Sequence, residues 1–166
     1  MAHLSSIRRL LVLALLAVWW GGFTFYALGV IPSGHQVLHS RVRQGFITQR
    51  VTVKLNLLGA VTLAVALTEV LTARSQAKRF RLLLGAWLVC VAAQAALFHI
   101  HVRMDALLDA TRMTVTEQER FESLHLWYLW AATIGWAGGG VMLLLAGSPA
   151  QPRRARSDLG TMETTQ

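Results

Sequence analysis

The chain has a single cysteine, Cys90, among its 166 residues. One thiol excludes an intramolecular disulfide and any CxxC redox or metal-binding pair. Charge is scarce as well. Asp, Glu, Lys and Arg make up 14% of the residues, against roughly 25% in ordinary soluble domains. Together with a hydrophobic content of 54%, this excludes such a domain and points to a membrane protein. The motifs of ordinary enzymes are missing: the sequence has no P-loop, no GxGxxG, no GxSxG nucleophile elbow and no HExxH. Their absence argues against a soluble-type enzyme.

Long apolar runs are what the sequence does have. A helix needs about 20 apolar residues to cross the hydrocarbon of a bilayer. Four stretches supply them: 10–31, 51–71, 82–100 and 124–147. The first is free of charge, and Pro32 follows where a helix bends or stops. The second is interrupted by Lys54, Asn56 and Glu69. The third has Gln94 as the strongly polar residue in its middle, and the fourth opens on Trp127, Tyr128 and Trp130. Such aromatics favour the interface, so the cluster marks a membrane boundary. Arg8 and Arg9 before an apolar run also fit a signal peptide, but the run continues through Trp19 and Trp20 without a small-residue cleavage site. The expected fold is all-α: a polytopic membrane protein, with one four-transmembrane-helix bundle over residues 1–148 and helices at about 10–31, 47–72, 82–112 and 117–147.

Lysine and arginine near the helix ends set orientation. One side has Arg8, Arg9, Arg74, Lys78, Arg79, Arg81, Arg153, Arg154 and Arg156. The other has Arg41, Arg43, Arg50, Lys54, Arg103, Arg112 and Arg120. The bias toward the first group places both termini in the cytoplasm of a cell inner membrane, with residues 149–166 as a disordered polar tail. The net charge of +8 does not indicate nucleic acid, because the cations are scattered over both sides with no aromatic-basic stripe.

On the external side, continuing the third helix puts His101, Asp105 and Asp109 on one stripe. Thr116 and Glu119 fit a capping box and start the fourth helix near Glu117, so helices three and four extend outside as a hairpin turning near residues 113–115. In the first loop, residues 34–46 fit a short interfacial helix carrying His35 and His39 on one face and ending at Gly45. Thr48, Thr52 and Asn56 then share a stripe of the second helix that turns into the bundle, since polar groups avoid lipid.

Five of the six histidines fall on this external side: His35, His39, His99, His101 and His125. Imidazoles and carboxylates are the usual ligands of transition metals, and bundles build such sites on facing helices, including Glu-x-x-His pairs. Glu122 and His125 have that spacing, and His101 and Asp105 are one turn apart. The candidate ligand set is therefore His35, His39, His99, His101, Asp105, Glu122 and His125. His99 and His101 point to roughly opposite sides of a helix, so at most one faces the centre. The same residues also suit a solvated or interfacial rim, and two histidines on different helices could hold haem. Glu69 and Lys54 read as structural ion pairs or snorkelling groups. Gly135 and Gly139, at GxxxG spacing, allow close packing on the first helix or on a second subunit or membrane-complex partner.

The stretches WWGGFTFYALGVIP (19–32) and QGFITQRVTVKLNLLG (44–59) resemble the start of small four-helix bacterial membrane proteins related to the copper-resistance protein D type, with Trp20, Gly21, Gly22, Phe23 and Pro32 carrying the likeness. It covers about the first third of the chain. The resemblance implies a bundle and copper handling at the membrane, and it carries no metal ligand onto a numbered histidine. Three functions stay open: binding or handling of a transition metal, copper first, at the external face; a non-catalytic accessory or assembly subunit of a membrane complex; and a small haem-binding membrane protein.

Overall fold

The structure is a computed structural model that describes residues 2–109, 112 and 114–148. Helix α1 (Ala2–Phe25) runs through a π-helical turn, Tyr26–Val30, into α2 (Ile31–Leu38). Helix α3 (Arg41–Thr72) follows, and a 3-10 turn, Ala73–Ser75, leads to α4 (Ala77–Asp105). A two-residue hairpin of β1 (Leu108–Asp109) and β2 (Thr114–Val115) precedes α5 (Gln118–Gly147). Four segments are long and apolar enough to cross a membrane: Ser5–Leu38, Arg43–Ser75, Ala77–Asp105 and Gln118–Gly147. The protein is an all-α multi-pass bundle. Its helices pack in a ring, with α1 between α3 and α5, and α4 between the same two on the other side.

Several boundaries depart from the sequence expectation, each for a local reason. Pro32 does not end the first helix. The π turn ahead of it closes with Ile31 N–H donating to the Tyr26 carbonyl. That wider turn relaxes the packing of the preceding carbonyls against a proline ring. The expected interfacial helix over 34–46 is split. His39 adopts a left-handed backbone with φ 45°, and Ser40 then caps α3 by accepting from Arg43 N–H at 3.4 Å. Gly45 therefore lies inside α3, and His35 and His39 share no helix.

At the His101 end of the bundle α4 stops at Asp105, short of residue 112, and the β pair Leu108↔Val115 and Asp109↔Thr114 makes the turn. Asp109 consequently leaves the stripe of His101 and Asp105. Thr116 forms no capping box: its hydroxyl donates to the Leu107 carbonyl at 3.1 Å, tying the hairpin shut. Helix α5 begins at Gln118, with Glu117 as an N-cap whose carboxylate accepts from Arg120 at 3.3 Å and caps no backbone N–H. The tail 149–166 lies outside the described residues.

Lipid tails are as apolar as leucine, so close packing and polar contacts hold the helices together. Small residues bring α4 and α5 together. A Cβ on Gly138 would lie 2.7 Å from Cys90 Sγ, and one on Gly135 3.4 Å from Ala93. Gly139 faces Trp19 of α1, where a Cβ would come within 3.0 Å of the ring. The GxxxG pair thus serves contacts within the chain. On the outward side of this contact, Trp20 and Trp136 stack with ring centroids 5.3 Å apart, and Trp136 donates to the Thr24 hydroxyl at 2.8 Å.

One half of the bundle has a mainly apolar core. Val12, Leu16, Trp19, Leu63, Ala66, Cys90, Met142 and Ala146 form a buried apolar cluster, continued by Val70, Ala73 and Leu83. Beyond them Glu69, only 5% exposed, accepts from Arg79 at 2.9 Å and from Arg8 at 3.4 Å. Arg9 donates to the carbonyls of Ala146, Gly147 and Ser148, satisfying the free end of α5. Glu69 is a structural ion pair, and Lys54 and Arg50 are exposed.

Candidate polar site

The other half of the bundle has a polar interior. Helix α3 turns Gln44, Thr48, Thr52 and Asn56 inward at helical spacing. Gln44, Thr52 and Asn56 are buried, in line with the aversion of polar groups to lipid. Helix α4 contributes Gln94 and His101, one on each side of Leu97. Helix α5 contributes Tyr128, and the π turn presents Tyr26; both are buried.

These side chains connect. Asn56 Nδ2 donates to the Tyr128 hydroxyl at 3.1 Å, and Gln94 Nε2 donates to the Asn56 carbonyl at 3.1 Å. Thr52 lies beside the Tyr128 hydroxyl, and Thr48 beside that of Tyr26. Gln44 Nε2 donates to the Ile31 carbonyl at 2.7 Å. At the mouth, Gln49 Nε2 donates to Asp105 Oδ1 at 2.7 Å, while the other oxygen, Oδ2, lies 3.4 Å from His101 Nε2. The His101 ring tilts over Tyr128 with centroids 6.3 Å apart. His101 Nε2 is buried and has no hydrogen-bond partner of good geometry.

The column ends at a cavity of about 10 Å³ lined by Asn56, Gln94, Cys90, Trp19 and Trp20 among others, room for roughly one water. Past it lies the apolar cluster.

Of the candidate ligands, His101 and Asp105 are brought together, as their four-residue spacing predicts. His35 and His39 are exposed, with His35 Nδ1 3.2 Å from the Ile31 carbonyl. His99 is exposed on the other side of α4, and His101 is the one of the pair that faces inward, where at most one was expected to. Glu122 accepts from Gln118 at 2.7 Å, and His125 stacks on Phe121 at 6.2 Å. Among the described residues no group of three or more His, Cys, Asp or Glu side chains is placed to hold a metal ion.

Sequence reasoning missed Gln44, Gln49, Tyr26 and Tyr128. Tyr128 reads in sequence as part of an interfacial aromatic cluster. In the fold Trp127 and Trp130 face outward and Tyr128 inward, which the 100° step between residues on a helix already separates. A comparison with family models, curated proteins and solved structures finds no match.

Proposed function

We propose that the protein binds and hands on a transition metal, copper first, at the mouth of its polar column, with His101 and Asp105 as the protein's donors. The observation that supports this is the 3.4 Å separation of His101 Nε2 and Asp105 Oδ2, with the nitrogen buried and unpartnered. Two donors each about 2 Å from one ion at a tetrahedral angle stand about 3.3 Å apart. Gln49 fixes the carboxylate from outside the pair, as outer-shell partners of metal ligands do. Two protein donors leave the remaining positions to exchangeable ligands, which suits transfer better than storage. In this reading the chain lies in the inner membrane with both termini in the cytoplasm, because the end opposite His101 gathers Arg8, Arg9, Arg74, Lys78, Arg79 and Arg81.

The test is metal analysis and titration of the detergent-purified full chain. His101→Ala with Asp105→Asn is expected to abolish copper uptake, whereas His35→Ala, His39→Ala and His125→Ala together leave it intact. No uptake by the unmodified protein, or loss in the second variant alone, overturns the assignment.

A further inference from the structure

The opposite end of the bundle holds an unbalanced charge. Among the described residues near the Glu69 end, six cations, Arg8, Arg9, Arg74, Lys78, Arg79 and Arg81, face one carboxylate, Glu69. That carboxylate is shared by two guanidinium groups, whose Nε atoms are buried without partners. Arg9 is committed to the last carbonyls of α5. An excess of partly desolvated positive charge is costly unless an anion answers it.

The apolar surroundings indicate what kind of anion. Next to the cations, Leu10 is 68% exposed and Leu144 73% exposed, with Leu71 and Leu82 also outward. Along α4, exposed Lys78, Arg81, Leu82, Gly85 and Val89 follow one another at helical spacing. The stripe is cationic at its start and apolar beyond. A Cβ built on Gly85 meets nothing within 4 Å, so the stripe dips there to a shallow notch. A free phosphate matches only the cationic part; a molecule with a phosphate head and a hydrocarbon tail matches the whole.

We propose that this face is a binding site for an anionic phospholipid, whose headgroup phosphate is held by Lys78, Arg81 and Arg74 beside the Arg8–Glu69–Arg79 clamp, and whose acyl chain lies along Leu82, Gly85 and Val89. This is distinct from the metal reading and does not depend on it. Basic clusters flanking transmembrane helices recognise anionic headgroups by the same electrostatics.

The experiment counts lipids retained by the full chain in native mass spectrometry and follows its thermal unfolding in neutral detergent, with phosphatidylglycerol, phosphatidylcholine or inorganic phosphate added. Phosphatidylglycerol is expected to be retained and to raise the unfolding temperature, with phosphatidylcholine and phosphate leaving it unchanged. Because Arg8 and Arg79 also hold the fold, the variant is the exposed triple Arg74→Gln, Lys78→Gln and Arg81→Gln. It is expected to lower retention roughly tenfold to a hundredfold, from the usual contribution of a lysine or arginine near an anionic surface. Gly85→Leu fills the notch and is expected to weaken phosphatidylglycerol binding while leaving the cations in place. Equal retention of the two lipids, an equal shift with inorganic phosphate, or an unchanged triple variant overturns the proposal.

Discussion

Replacing Gly59 by alanine opposes two effects of known size. Alanine is favoured over glycine inside a helix by about 1 kcal/mol. Gly59 is buried in α3, however, and a Cβ there would come within 2.6 Å of both Gln94 Oε1 and Trp19 Nε1. The amide end of Gln94 can swing aside, but only by abandoning the Asn56 carbonyl, a contact worth about 0.6 and at most about 1.7 kcal/mol in a membrane protein. The indole cannot swing without disturbing the cluster around Trp19, and such overpacking costs about 1–3 kcal/mol. Crowding wins, leaving Gly59→Ala destabilised by about 1–3 kcal/mol net. Gly21, with nothing within 4 Å of its Cβ position, is the control: Gly21→Ala is expected to gain up to about 1 kcal/mol. Unfolding of the full chain in mixed micelles by an ionic detergent gives both midpoints. If Gly59→Ala unfolds at or beyond the wild-type midpoint, or if Gly21→Ala falls as far as Gly59→Ala, the close approach of α1, α3 and α4 described above is wrong.

Glu69→Ala leaves two guanidinium groups facing each other. Removal of one member of a buried ion pair costs about 3–5 kcal/mol, and the partial exposure of Arg8 reduces this to about 2–4 kcal/mol. Adding Arg8→Ala to Glu69→Ala is expected to recover part of the loss, which a double-mutant cycle measures. Arg9→Ala removes the donors that close α5, so amide hydrogen exchange at Ser148 is expected to rise while α3 stays protected; uniform exchange across both helices would contradict the capping role.

The four spans were legible because a bilayer demands long apolar runs and the chain supplies them plainly. Glu69 was legible as an ion pair because a lone carboxylate at a helix end, near several arginines, has few other fates. The inward stripe of Thr48, Thr52 and Asn56 followed from helical spacing and the cost of polar groups in lipid. The mouth of the column was half legible: His101 and Asp105 are neighbours by spacing, but Gln49, fifty-six positions from Asp105, joins them only through the packing of α3 on α4. The π turn and the left-handed His39 were not legible, since both are local backbone solutions with no periodic signature. The extra residue in the π turn also shifts the phase of everything after Val30, so a single 3.6-residue rhythm across the first span mis-assigns the faces of α2. The β pair was hidden because two residues per strand are too few to show alternation.

Asn56 and Glu69 stand thirteen residues apart on α3, about 20 Å at the rise of an α-helix, and the tightly packed cluster around Leu16 and Leu63 fills the interval. The polar column therefore does not run the length of the bundle: beyond Gln94 the next buried charged group, Glu69, stands on the far side of that apolar packing. A continuous polar path between the two ends of one copy would have to pass through that cluster. The network around His101 and the ion pair at Glu69 are thus two separate polar ends of one bundle, divided by apolar packing.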